Sequence, residues 1–267
     1  MKFPATILSL AFLVSGVLSG LIPLTDDCIK GVTFEGTPKG VIQTINGVET
    51  YVARADPAAN SKRALLFLTD IFGLPLVNSK LMADDFASNG FDTFIPDYLN
   101  GDPVPADDPN FNITAWAVNH GEAQTMPTLL AAIEGLQNEG FTEFVATGYC
   151  FGGLYATRLS QQNRIKVGTM AHPSMLTVPD DFFILRNDSN VPIQFNTAEL
   201  DTAFTPALQA VADDILGFGR YPPGYNRTFF AGVGHGFAVR ANLSDPVAKA
   251  AKEGAFFDAV KWLRAHD

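Results

Sequence analysis

Gly148-Tyr149-Cys150-Phe151-Gly152 sets a thiol between two glycines, after the apolar run Phe144-Val-Ala-Thr147 and before helical spacing over about Phe151–Gln161. This is a G-x-C-x-G form of the nucleophile elbow, in which glycines permit a tight, strained turn that lifts the side chain clear of a sheet. At a helix start, unpaired N–H groups and the positive end of the dipole favour thiolate, the form a nucleophile needs. Such a nucleophile requires a base, and the base an orienting carboxylate. His235 lies in the glycine-flanked loop Gly232-Val-Gly-His-Gly236, and Asp201 falls just past an expected strand Pro192–Asn196. The order Cys150, Asp201, His235 is the one an elbow of this kind imposes on its partners. Glu199 competes with Asp201, which its loop position puts ahead. Other histidines suit the base role less: His266 is at a fraying end, His120 opens a polar helix, and His172 precedes Pro173 just after a strand. Neither histidines nor cysteines show metal-ligand spacing, so no metal and no cofactor are expected.

The elements that must position these residues alternate along the chain. Val41–Ile45 and Thr50–Ala53 flank Asn46-Gly47, the pattern of a β-hairpin. Ala64–Thr69 is continuously apolar, as a strand buried on both faces requires, and ends at Asp70-Ile-Phe-Gly73. A helix over about Leu76–Ser88, a strand Asp92–Pro96 and a Pro/Asp/Asn-rich loop from Asp97 to about Thr114 follow. A loop that long is functional or mobile. Helical spacing over Glu122–Glu139, with a kink at Pro127, leads to the strand before Cys150. Beyond the elbow come strands near Val167–Ala171, Pro192–Asn196 and Thr228–Ala231, and a helix with Pro206 in its first turn. The last helix is capped by Asp245 with Pro246 first, its buried face set by Val247, Ala250, Phe257, Val260 and Leu263. Alternation of this kind argues for an α/β domain: a mostly parallel sheet with helices on both faces and an N-terminal antiparallel hairpin.

Composition bounds the partners. The 267 residues are 47% hydrophobic and 17% charged, which excludes disorder, collagen and a small disulfide scaffold. A formal charge of −10 disfavours nucleic acid and anionic membranes. Lys2, the apolar run Ile7–Val14 and the small residues Ser15, Gly16, Ser19 and Gly20 have the order of a secretory signal peptide, with cleavage after Ser19 or Gly20. One domain over residues 20–267 is expected, secreted, extracellular, monomeric and without membrane attachment once the signal is removed. Asn112, Asn187, Asn226 and Asn242 head glycosylation triplets. Cys28 is read as a packed or unpaired thiol, the alternative being a bridge to Cys150 in the oxidising export route.

The chain resembles the dienelactone hydrolases, and more closely their secreted fungal relatives, from about Cys28 to its end. The resemblance is carried by Phe34-Glu-Gly-Thr-Pro-Lys-Gly40, Leu68-Thr-Asp-Ile-Phe-Gly73, Phe94-Ile-Pro-Asp-Tyr98, Gly148-Tyr-Cys-Phe-Gly-Gly153, Leu200-Asp-Thr-Ala-Phe204 and Gly234-His-Gly-Phe237. It implies a single-domain α/β-hydrolase fold, Cys150 as nucleophile, His235 as base and Asp201 as its orienter. It further implies an oxyanion hole from the Ile71 and Phe151 N–H groups, and puts the carboxylate that holds the resting thiol at Asp70, one methylene shorter than the family's usual glutamate. Bacterial members pair an arginine with the substrate carboxylate, whereas Leu81–Thr157 has no Lys or Arg, leaving Arg240 as the expected cation near the site. Phe72, Tyr98, Trp116, Tyr149 and Phe237 are candidate aromatic walls. The expected reaction is acyl transfer from a small-molecule ester or lactone through a thioester. Two rivals stand beside it: a catalytically silent secreted binder of an aromatic or sugar-like ligand on the same fold, and an interaction protein with a vestigial triad.

Overall fold

Asn46 and Gly47 both adopt positive φ, 47° and 82°, the backbone of a two-residue turn whose twist matches the strands it joins. The turn closes β2 (Val41–Ile45) on β3 (Val48–Ala53) as an antiparallel hairpin. The computed structural model describes residues 20–21, 36–55, 62–106, 108 and 110–266; the leader and Cys28 lie outside them.

After the hairpin the order is β4 (Arg63–Leu68), α1 (Val77–Ser88), β5 (Thr93–Pro96), α2 (Ile113–Asn119), α3 (Glu122–Asn138), β6 (Glu143–Tyr149), α4 (Phe151–Gln161) and β7 (Gly168–Ala171). Next come β8 (Thr177–Val178), α5 (Asp180–Asp188), β9 (Ile193–Leu200), α6 (Pro206–Leu216), β10 (Tyr225–Gly234), α7 (Phe237–Arg240) and α8 (Pro246–Ala265). A two-residue β1 (Gly20–Leu21) pairs antiparallel with β8. The main sheet has eight strands in the order β10-β9-β7-β6-β4-β5-β3-β2. Its strands are parallel from β10 to β5, and β3 and β2 join antiparallel. The protein therefore has the α/β-hydrolase fold.

Alternation along β4 shows how the core is split. Ala64, Leu66 and Leu68 point into the layer containing α3 to α6, with Leu129, Leu159, Phe182 and Leu216. Leu65 and Phe67 point into the opposite layer, with Met82 and Phe86 of α1 and Ala255, Ala259 and Leu263 of α8. Because β5 and β6 flank β4 on opposite sides, the chain reverses direction across the sheet there, and the crevice at the carboxyl ends of β4 and β6 is the place such sheets keep for ligands.

One expectation is corrected and two are refined. Of the five residues expected on the buried face of α8, three do not lie there: Val247 and Phe257 are exposed at 50% and 58%, and Ala250 is also exposed. Ala251, Ala255 and Ala259, one turn apart, are buried with Val260 and Leu263, so small side chains let the helix lie close to the sheet. The elements β8, α5, α2 and α7 go beyond the sequence reading; all are short, from two residues in β8 to nine in α5. The stretch after Asp97 is partly packed rather than wholly loose: Tyr98, Leu99 and Val104 are buried, and Val104 N–H donates to the Ile71 carbonyl at 2.8 Å.

Candidate active site

Cys150 links β6 to α4 with φ 52° and ψ −112°, a strained position for a residue with a side chain. The glycines around it are demanded by crowding. A Cβ on Gly148 would lie 2.3 Å from the Gly152 carbonyl oxygen, and one on Gly152 would lie 2.1 Å from that of Leu68. Cys150 is fully buried. Parallel pairing sets Leu68 against Gly148, so the Asp70-Ile71 turn after β4 comes up beside the elbow.

The ends of β9 and β10 deliver the remaining pair. His235 Nδ1 lies 3.0 Å from Asp201 Oδ1 and 3.1 Å from Oδ2. Asp201 is itself held by the N–H groups of Ala203 and Phe204, at 2.8 and 3.0 Å. Glu199, the rival carboxylate, is exposed and accepts from Gly232 N–H instead. His235 feels Cys150 both as a charge and as a hydrogen-bonding sulfur. Burial alone would lower its pKa, but Cys150 and then Asp201 outweigh burial and push it up to about 10. The structure thus brings Cys150, His235 and Asp201 together. Ile71 and Phe151 are fully buried, and among the described residues neither N–H is matched to an acceptor.

Asp70 and Arg240 meet each other. Arg240 Nε donates to Asp70 Oδ2 at 3.0 Å, Phe72 N–H donates to Oδ1 at 3.1 Å, and the guanidinium lies over the Phe72 ring at 5.1 Å. Burial raises the Asp70 pKa, opposed by the charge of Arg240. Gly236, at φ 85°, lets the chain pass over that guanidinium, for a Cβ there would lie 2.5 Å from Arg240 Nη2.

The aromatic candidates separate. Tyr98 stacks on Phe151, Trp116 meets Phe151 edge to face, and Tyr98 Oη donates to the Thr69 carbonyl. Phe72 lies against Arg240, and Phe237 against His172. Tyr149 stacks on Phe67 in the α1/α8 layer, away from the elbow's front. His120 stacks on Trp116, and His266 lies tilted against Trp262. Asn112, Asn187, Asn226 and Asn242 are all exposed.

Two further neighbours surround the site: Ser174, which the sequence reading did not single out, and His172, which it placed after a strand without a role in the site. Ser174 Oγ lies 3.4 Å from Cys150 Sγ. The His172 ring packs edge to face on that of His235, with centroids 5.0 Å apart, and among the described residues neither of its nitrogens has a hydrogen-bond partner. Burial, then the charges of His235 and Arg240, hold His172 far below its usual pKa and therefore neutral. The available signal was Ala171-His-Pro-Ser174 following the strand next to the elbow.

Comparison with known proteins gives a consistent picture. The profile of the dienelactone hydrolase family matches residues 48–267. Hydrolase pyvD of Aspergillus violaceofuscus is 35% identical over 92% of this chain and 98% of its own length. Dienlactone hydrolase 1 of Gibberella moniliformis is 34% identical over 88% and 91%. A crystal structure described as that of a dienelactone hydrolase from Klebsiella pneumoniae subsp. pneumoniae superposes with a TM-score of 0.69 at 14% identity, covering 84% of this chain and 97% of that one, a likeness of fold.

Proposed function

Because the chain belongs to the dienelactone hydrolase family, we propose that it is a hydrolase of small esters or lactones that works through Cys150, His235 and Asp201. The observation that carries this reading is the left-handed Cys150 at the head of α4, beside a buried His235 bonded to Asp201. The Cys150 thiolate attacks the carbonyl carbon. The resulting oxyanion is stabilised by the Ile71 and Phe151 amides, which are fixed before the substrate arrives and cost no reorganisation during the reaction. His235, held in orientation by Asp201, gives a proton to the departing alkoxide and then takes one from water. Water adds to the thioester, the C–S bond breaks, and the acid leaves.

The pairing of Arg240 with Asp70 supports an uncharged ester or lactone, since the guanidinium is already neutralised within the fold. The leader pattern supports export, and the exposure of all four triplet asparagines is compatible with glycosylation on that route. Stoichiometric alkylation of Cys150 by iodoacetamide should abolish p-nitrophenyl acetate turnover, and Cys150→Ala should be inactive. Full turnover by Cys150→Ala would sink the proposal and favour the silent-binder reading.

A further inference from the structure

A thiolate buried from water needs donors, and the carboxylate expected to hold this thiol has other work. Both Asp70 oxygens are taken, Oδ1 by Phe72 N–H and Oδ2 by Arg240 Nε. Beside His235, a second polar side chain lies against the sulfur: Ser174, with Oγ 3.4 Å from Sγ and both residues fully buried. Its position is fixed by the segment Ala171–Ser174, which wraps the elbow. Cys150 N–H donates to the Ala171 carbonyl at 3.1 Å, and Ser174 N–H donates to the Cys150 carbonyl at 3.1 Å. Pro173 sits against Gly153, where a Cβ would lie 2.7 Å from the proline Cβ. His172 N–H donates to the Asn196 carbonyl at 2.9 Å, which ties the same segment to β9.

A hydroxyl at this place discriminates between the two forms of the sulfur. Against a neutral thiol it exchanges a weak hydrogen bond in which either atom donates; against a thiolate it can only donate, and a bond to an ionised partner is roughly twice as strong. A carboxylate in the same position would repel the thiolate. We propose that Ser174 is a further catalytic residue, whose hydroxyl donates to the Cys150 sulfur, favours its ionised form at rest and stabilises it again when it leaves the thioester. This rests on the reading of Cys150 as nucleophile. At the second step, water adds to the thioester carbonyl, the C–S electron pair returns to sulfur, the water proton passes to His235, and the Ser174 hydroxyl keeps its own proton throughout.

Ser174→Ala removes the hydroxyl while retaining the backbone N–H that bonds Cys150. In the full-length chain, the pH dependence of Cys150 alkylation by iodoacetamide, followed by mass spectrometry, should move upward by about one pH unit in Ser174→Ala. At pH 7, kcat/KM for p-nitrophenyl acetate should fall about tenfold and recover as pH is raised. Ser174→Gly, which lacks the hydroxyl in the same way, should shift the profile in the same direction. An unshifted alkylation profile in either folded variant overturns the role of Ser174. Undiminished turnover by Cys150→Ala would instead show that the nucleophile assignment has failed, so the two failures are distinguishable.

Discussion

Replacing Arg240 by Met tests whether the base of the site is organised as an ion pair. Arg240 Nε and Asp70 Oδ2 are 3.0 Å apart, with side chains 2% and 0% exposed, so water cannot substitute for a lost partner. Breaking such a pair from one side costs about 3–5 kcal/mol, because a buried charge is left uncompensated. For a domain of this size, each kcal/mol corresponds to about 2–4 °C in Tm, giving an expected fall of about 6–20 °C. The loss should also depend on pH. Burial already raises the folded-state pKa of Asp70 and Arg240 holds it down, so removing Arg240 raises it further. The folded variant then keeps a proton that the unfolded chain releases. Its stability is highest at low pH, below the unfolded carboxylate value of about 3.9, and falls as pH rises until the folded-state pKa is passed. Asp70→Asn combined with Arg240→Met removes both charges while keeping an acceptor for Phe72 N–H, and should recover at least about 2 kcal/mol of the single-variant loss. Urea unfolding between pH 5 and 8, followed by tryptophan fluorescence, measures the wild type, the two single variants Arg240→Met and Asp70→Asn, and the double variant. A loss below about 1 kcal/mol for Arg240→Met, or a double variant equal to the sum of the singles, would refute the reasoning.

Asp201→Asn keeps an oxygen for the Ala203 and Phe204 amides but removes the charge facing His235 Nδ1; kcat/KM should fall about 10²- to 10⁴-fold with the circular dichroism unchanged. Since His235 is raised to about 10 by Cys150 and Asp201, the stability it contributes is fully present below its ordinary pKa and is lost as pH climbs through about 10, so the stability difference between wild type and His235→Gln should shrink between about pH 6.5 and 10. Gly152→Ala drives a methyl to 2.1 Å from the Leu68 carbonyl oxygen, and denaturation should show a loss of about 1–3 kcal/mol or more together with reduced kcat. His172→Phe keeps a flat ring against His235 and removes two polar atoms without partners, so stability should hold or rise and kcat/KM stay within about threefold; a hundredfold loss would assign the ring nitrogens work in catalysis.

The parts legible in the sequence are those that one segment specifies locally. Asn46-Gly47 states its turn, Asp245-Pro246 starts α8, and Gly148 to Gly152 place the thiol between strand and helix, because each depends on backbone conformations few residues adopt. Asp201 was favoured over Glu199 by loop position, and the geometry agrees, since side chains alternate along β9 and only the residue past its end turns toward His235. The pairing of Asp70 with Arg240, 170 residues apart, was not legible, for it depends on only β6 and β7 separating β4 from β9 and on α7 folding back beneath Gly236. The contact of Ser174 with Cys150 and of His172 with His235 could not be read for the same reason. Nothing local distinguishes a serine after Pro173 from any turn residue until β7 is known to lie beside β6.

These pairings decide the charge of the site. Among the described residues, with Cys150 ionised, the five buried groups Cys150, Asp201, Asp70, His235 and Arg240 carry three negative and two positive charges, a net of −1. Asp70 and Arg240 largely cancel at 3.0 Å, and His235 is shared between Asp201 and the sulfur. A substrate carboxylate entering this enclosure would meet a slight excess of negative charge in a medium that screens poorly, and would have to compete with Asp70 for the guanidinium. An uncharged acyl group meets neither penalty. In the proposed mechanism its carbonyl oxygen acquires charge only at the tetrahedral stage, next to the Ile71 and Phe151 amides, which would concentrate the electrostatic stabilisation in the transition state, where it raises the rate, rather than in substrate binding.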